Sequence, residues 1–335
     1  MPEIIPNLVS TIIPVYNRAT LLPHAVRSVL NQTYRPIEII IVDDGSTDDT
    51  PGVAQKLANE FPEEIRFIRK THRGAGPTRE SGRLLARGEF IQYLDSDDLV
   101  LPQKFEIQVR ALKRHPECGA TYGPMRLTSL DGKIVADPAK WTGEGRTSLF
   151  PALLVDRWWS TNTPLLRRTL CDAVGPWSDL PYSQDWEYDA RIGSLGTRLA
   201  FCPETLAVVR VHSANRQTGH GRWLQPPDRV EFLSRLYRYA CQAGVKRQTP
   251  EMRHFSRWAF LNARECGALG DAESARRCWE IAVDAAGKIS IDMKAYRVCA
   301  RLIGWRLTGK LANPMIRILG VKPGTNTMKL SWMEK

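Results

Sequence analysis

Three apolar runs, LVSTIIPVY (8–16), IEIIIVDDGS (37–46) and EFIQYLD (89–95), each pass from β-branched or aromatic side chains straight into polar or acidic residues. Helical spacings lie between them. ATLLPHAVRSVLNQT (19–33) sets Leu22, Val26, Val29 and Leu30 on one face, and TDDTPGVAQKLANEF opens on a turn rich in capping residues. IRFIRK reads as a short strand, and PTRESGRLLARG as a helix with Pro near its start and Gly after its end. A strand that is apolar throughout must be covered on both faces. The alternation therefore predicts an α/β fold, a doubly wound and mostly parallel sheet with helices on both faces. Ligands of such sheets bind beyond the carboxyl ends of the strands, where PVYNR, DDGS and DSDD all fall.

The last of these segments poses a charge problem. Asp95, Asp97 and Asp98 crowd together directly after a buried strand. Like charges this close repel unless something positive sits between them, and a cation, or a ligand that brings one, is the natural answer. Mg²⁺ or Mn²⁺ suits such carboxylates, keeping few protein ligands and taking the rest from water and phosphate. The competing reading is a helix cap, with Asp97 or Asp98 ahead of LVLPQKF. Asp43 and Asp44 end a neighbouring strand, where an acid can accept hydrogen bonds from a nucleoside, although Asp-Gly-Ser is also an ordinary turn. GAGPTRES carries Arg79 in the first turns of a helix, a placement that favours an anion, although by itself it reads equally as a surface residue.

After Pro102 the alternation loosens. LPQKFEIQVRALKRHPE is expected to be a helix, residues 118–135 a hairpin around Asp131-Gly132, and 147–158 helical. STNTPLLRRTLCDAVGPWSD reads as strand then helix, and TLAVVRVH as a strand. From about 222 the chain is expected to be helical, with one helix–turn–helix unit over 256–287. Near its end Ile291, Ala295, Val298, Cys299, Leu302 and Trp305 form an apolar stripe with Lys294, Arg297 and Arg301 close by. That stripe fits either docking on the body of the protein or lying on a membrane surface.

Charge divides the chain in the same way. Residues 1–220 carry 26 Lys+Arg and 26 Asp+Glu, whereas residues 221–335 carry 21 and 10. A neutral body with a basic C-terminal region fits an anionic partner, membrane phospholipid or a phosphate-bearing acceptor, and equally a solvated helical surface. The seven cysteines are scattered without a C-x-x-C pair, which fits a reducing cytoplasm and neither a disulfide framework nor a zinc site. The opening MPEIIPNLVS has no signal-peptide pattern, and no run is long and apolar enough to span a bilayer. The expected location is the cytoplasm, with peripheral contact on the inner face of the membrane.

The run VSTIIPVYNRATLLPHAVRSVLNQTY…EIIIVDDGSTDDT…GEFIQYLDSDDLVLP resembles the family 2 glycosyltransferases of GT-A fold, in order and in spacing, and the likeness extends over about 1–220. It implies a GT-A domain over 1–221, with a nucleotide-sugar half to about 125 and an acceptor half after it, followed by a basic helical domain over 222–335. By resemblance, Pro14, Val15 and Tyr16 lie along the nucleotide base, Asp44 reads it, and Arg79, Ser96 and Arg216 approach the donor. Asp95 and Asp97 match the D-x-D motif, Asp95 toward ribose or metal and Asp97 as a direct metal ligand, with His212 a further ligand from VVRVHSANR. Asp185 in YSQDWEYDARI matches the catalytic acid, with Gln184 where Glu is commoner and Glu187 and Asp189 as rivals. Val209 stands where the family's late motif has Tyr.

The implied function is a metal-dependent inverting transferase using Mn²⁺ or Mg²⁺. It would move a sugar from a nucleotide-diphosphate donor, a UDP-sugar by preference, to a carbohydrate or glycolipid acceptor in polysaccharide or glycoconjugate synthesis, with no role for nucleic acid. Trp158 and Trp159, before STNTP, could stack an acceptor sugar, although core packing is the commoner role of such a pair. A dinucleotide-binding dehydrogenase would need G-x-G-x-x-G after the first strand, and PVYNR stands there instead. A sugar nucleotidyltransferase would want a glycine-rich loop at the same place, and DDGSTDD puts its glycine too early for a calcium loop. The alternative outside catalysis is a silent relative whose helical region is a binding module.

Overall fold

The structure is a computed structural model that describes residues 2–211 and 225–318, with side chains through 312. It divides into two compact units, Met1–Leu149 with Trp158–Arg216, and Phe150–Arg157 with Gln217–Lys335.

The first unit begins with β1 (Ile5–Val15), α1 (Leu22–Leu30), β2 (Ile37–Asp43), α2 (Thr50–Glu60), β3 (Ile65–Arg69), α3 (Ala75–Leu85) and β4 (Gly88–Tyr93). It continues through β5 (Leu99–Val100), α4 (Lys104–Arg114), β6 (Cys118–Tyr122), β7 (Met125–Ser129) and β8 (Ile134–Ala136). Its last elements are β9 (Leu165–Arg167), α5 (Arg168–Val174), α6 (Gln184–Ser194), β10 (Arg198–Phe201) and β11 (Ala207–Val211).

Seven strands form the main sheet in the order β10-β6-β9-β4-β1-β2-β3. β4, β1, β2 and β3 run parallel, and β9 enters antiparallel between β4 and β6. Every residue of β2 is buried, as a strand covered on both faces requires. Val9, Ile13, Ile39, Ile41 and Phe90 share one core with Val26 and Val29 of α1 and Phe105 and Val109 of α4. The alternate residues Ile12 and Val42 face α3, where a Cβ on Gly82 would lie 2.4 Å from Ile12 Cγ2. This period of two is what the strand runs predict.

The D-G hairpin exists but is shorter than expected. β7 and β8 pair around Asp131-Gly132 in a second sheet of order β5-β11-β7-β8, while β6 joins the main sheet. The expected helix at 147–158 is a single 3₁₀ turn at Ala152–Leu154, its apolar residues buried without helical periodicity.

The second unit contains α7 (Pro226–Gln242), α8 (Pro250–Leu269), α9 (Ala272–Ala286) and α10 (Ile291–Ile318). The G-D turn falls where the sequence places it: Gly270 closes α8 at φ 96°, and Asp271 caps α9 by accepting from the Ser274 N–H at 2.8 Å. Among the described residues no helix is long and apolar enough to cross a membrane.

Candidate active site

The chain moves outward from β1 through β2 to β3, then returns to lay β4 on the other side of β1. That reversal makes the β1/β4 edge a topological switch point, the crevice where open α/β sheets bind ligands. The last β1–β4 register pair is Ile12 with Tyr93, and Leu94 N–H donates to Ile12 C=O at 3.0 Å. Beyond it β1 continues with β2 alone, to Val15 opposite Asp43. Pro14, which has no N–H for a ladder, sits in this stretch. Pro14 and Val15 are buried, and Tyr16, just past the strand, is half-buried.

Asp44 follows β2 and is almost fully buried. Its carboxylate accepts from Arg73 N–H at 2.8 Å and Gly74 N–H at 2.9 Å, and its Oδ2 lies 2.9 Å from His72 Nδ1. These bonds pin the loop that leads into α3. The His72 ring is 4.4 Å from that of Tyr16, so Tyr16, His72 and Asp44 form one group. Asp43 turns the other way, toward Arg69 Nε at 3.2 Å and the Ser46 N–H.

Arg79, on the second turn of α3, has only 5% of its surface exposed. Its Nη2 donates to Asp95 Oδ1 at 2.6 Å, while Nε and Nη1 are buried without a hydrogen-bond partner. The guanidinium lies 4.8 Å from the Trp177 ring centre. Trp177 in turn stacks on Tyr188 of α6 at 4.0 Å and meets Tyr93 of β4 edge-on at 4.9 Å. Burial pushes the Tyr93 and Tyr188 phenols above their usual range, so both stay neutral. An aromatic wedge thus joins β4, α3 and α6 beneath the arginine.

The three acids after β4 have separate surroundings. Asp95 faces Arg79, Asp97 Oδ2 lies 3.9 Å from Arg18 Nε, and buried Asp98 accepts from the Arg210 backbone N–H at 3.0 Å. Arg210 Nε also donates to the Asp97 carbonyl at 2.5 Å. Arginines therefore supply part of the positive charge that the crowding demands. The capping alternative fails, because β5 intervenes and α4 starts only at Lys104, with Gln103 at its N-cap. Ser96 is buried between the acids. The side chains of Asp95 and Asp97 remain 32% and 22% exposed, so carboxylate oxygens face solvent. Hard oxygen donors of this kind fit Mg²⁺ or Mn²⁺. Among the described residues no third His, Cys, Asp or Glu joins them in a metal-binding group.

Asp185 sits in the first turn of α6, after Ser183 in the left-handed region at φ 58°. This end of α6 lies close to α3: a Cβ on Gly76 would fall 2.0 Å from Ser178 O and 3.5 Å from Gln184 Cγ, so only glycine fits there. Of the three candidate acids Asp185 alone is half-exposed. Glu187 is 2% exposed and pairs with Arg191 at 3.0 Å, and Asp189 is 4% exposed. His212 and Arg216 lie outside the described residues.

Of the two readings of Trp158 and Trp159, core packing holds and sugar stacking does not. Both are fully buried around Tyr122, at 5.0 Å and 5.8 Å between ring centres, and cannot receive an acceptor sugar. Conversely, sequence reading passed over Arg18, His72 and Trp177. Arg18 stands inside the PVYNR segment, but nothing local marks His72 or Trp177.

Residues 10–144 match the family model described as Glycosyl transferase family 2. An uncharacterized protein of Mycobacterium tuberculosis is 32% identical over 213 residues, 62% of this chain and 58% of that protein. The chain thus spans little more than half the length of this relative. Among solved structures, S. aureus TarS 1-349 in complex with UDP-GlcNAc superposes with a TM-score of 0.67 at 16% identity, over 92% of this chain and 91% of that one. The mannosyltransferase PcManGT of Pyrobaculum calidifontis, in complex with GDP-Man and Mn²⁺, gives 0.52 at 19%, over 94% and 88%. At these identities the likeness shows a shared fold, the GT-A-type sheet followed by C-terminal helices.

Proposed function

We propose, from the match of residues 10–144 to the glycosyl transferase family 2 model, that the protein is a metal-dependent inverting glycosyltransferase. Its donor would be a nucleotide-diphosphate sugar, a UDP-sugar by preference, and its acceptor a hydroxyl of a carbohydrate or glycolipid. The observation that carries this reading is the convergence of Asp44, Arg79, Asp95 and Asp97 at the β1/β4 switch point, with Arg79 buried against Asp95. The UDP-GlcNAc complex of TarS and the Mn²⁺ complex of PcManGT support the donor and metal classes.

Tyr16, Pro14 and Val15 would line the base, and Asp44 would accept from it or from the ribose while His72 holds the carboxylate in place. Arg79, seated against Asp95, would approach the donor phosphates. Asp97 and Asp95 would hold a divalent cation, which when bound offsets the negative charge developing on the departing diphosphate. Asp185 would take the proton of the attacking hydroxyl, from the face opposite the leaving group, and inversion follows from that geometry. The domain division at about 221, His212 as a further metal ligand and Arg216 near the diphosphate belong to the same proposal.

The test is incubation of the full chain with Mn²⁺ and a panel of sugar nucleotides, read by nucleotide release and by calorimetry. Donor binding with slow hydrolysis is expected for at least one UDP-sugar. Neither binding nor hydrolysis with any donor would favour the silent, scaffolding alternative.

A further inference from the structure

The stripe on α10 fits docking on the body or lying on a membrane, and within the second unit it is not the side that packs. At about 100° per residue, Ile291, Ala295, Val298 and Leu302 fall within roughly 60° of one another. They are not the residues that pack. Met293, Tyr296 and Ala300, on the opposite side of the helix, are buried at 3%, 7% and 5%. The stripe is open instead, with Ile291 86%, Val298 54% and Leu302 77% exposed.

The pattern repeats after the helix breaks at Gly304 (φ 80°). Thr308 and Gly309 are buried, and a Cβ on Gly309 would lie 2.4 Å from the Ala268 backbone nitrogen, so α10 is seated directly on α8. Leu307 and Leu311 point away, 49% and 61% exposed. α10 is therefore apolar on two sides, and only one of them is used by its own unit.

Charge identifies what the other side fits. Between 288 and 312 the sequence has six basic residues and one acid. Lys294 and Arg301 flank the stripe along one edge, and Arg306 and Lys310 flank Leu307 and Leu311; all four are exposed. The acid, Asp292, is paired with Arg257. Arg297 does not join this flank, being held between the Trp279 and Trp305 rings at 5.1 and 5.2 Å. Nucleic acid would use the basic flank and leave the leucines in water. A second protein copy would use the leucines and bring the basic flanks of two like chains together. An anionic lipid surface uses both, the leucines entering the acyl boundary while lysine and arginine meet the headgroups.

We propose that the outer face of α10 before its break at Gly304, Ile291, Val298 and Leu302 with Lys294 and Arg301, docks the protein in the plane of an anionic phospholipid bilayer. The contact is peripheral and reversible, and it does not rest on the catalytic reading.

The experiment is co-sedimentation of the full chain with vesicles of phosphatidylcholine alone and of phosphatidylcholine mixed with phosphatidylglycerol, at low and high salt. Binding is expected only to the mixed vesicles, and weaker in high salt. The pair Ile291→Ser with Leu302→Ser, and separately Lys294→Glu with Arg301→Glu, should each lower partition at least about tenfold. Since these side chains are exposed, circular dichroism melts should match wild type. In a Cys241→Ser background, an environment-sensitive dye on Cys299 should shift to the blue on binding. Absent or lipid-independent sedimentation, wild-type binding by both pairs, or an unshifted dye would overturn the proposal. Self-association in solution that is lost in the Ser pair, without vesicle binding, would assign the face to a second copy. None of these readouts involves sugar transfer, so their failure is separable from failure of the donor screen.

Discussion

Arg79 of α3 and Asp95 after β4 form a pair 2.6 Å apart at the switch point of the sheet, and the buried arginine keeps two nitrogens, Nε and Nη1, without a hydrogen-bond partner. A lysine at 79 would keep the charge but lose the planar fork and its seat on Trp177. Arg79→Lys should weaken UDP binding in the presence of Mn²⁺ by about tenfold or more, measured by calorimetry. Unchanged affinity would mean that the fork serves only to hold Asp95.

Asp97 and Asp98 are adjacent and should behave differently. Asp97 is partly exposed beside Arg18, whereas Asp98 is spent on the Arg210 backbone N–H. Asp97→Asn should raise the Mn²⁺ concentration needed for half-maximal donor binding by at least about tenfold with little change in melting temperature. Asp98→Asn should lower stability, by about 1–3 kcal/mol, and leave the Mn²⁺ requirement alone. The reverse outcome would exchange their roles.

Asp185 is set apart from its rivals by access. Asp185→Asn should reduce transfer by about 10²–10⁴-fold while donor affinity stays near wild type. Glu187→Gln breaks a buried pair with Arg191 and should show first as lost thermal stability. If Asp189→Asn abolished transfer at unchanged stability while Asp185→Asn did not, the base would have to be reassigned.

Periodicity and strand-end chemistry made the parallel core legible, because both depend on neighbours in sequence. The run from Phe90 to Asp95 displays its own burial and its own exit to solvent. What stayed hidden is set by distant partners. Asp98 looks like its neighbours until β11 brings Arg210 against it, and Trp177 becomes part of the site only when α6 stacks Tyr188 on it. Trp158 and Trp159 look like a sugar platform because nothing local says that Tyr122 lies over them. The α10 stripe was visible as a period but not as a surface, since Met293, Tyr296 and Ala300 compete for the same role and win it.

Lys104 gives a prediction about stability that needs no knowledge of the substrate. It is fully buried at the start of α4, where Nζ donates to Gln108 Oε1 at 2.6 Å and to the Thr163 carbonyl at 2.7 Å. Among the described residues no carboxylate is paired with it, and burial pulls its pKa down from 10.5 to about 7. The unfolded chain therefore binds more protons than the folded one between about pH 7 and 10.5. Stability from this group rises with pH across that window, and its penalty is full below about 7. Lys104→Met removes the titrating group, and Thr163 C=O keeps a donor in Gln108 Nε2 at 3.2 Å. The variant should be more stable than wild type at pH 6, by an amount on the order of a few kcal/mol, with the advantage shrinking toward pH 10. Urea denaturation midpoints at pH 6, 8 and 10 measure it. A difference that does not vary with pH would mean that Lys104 keeps its proton inside the fold, where the two oxygens it meets would have to stabilise a full charge.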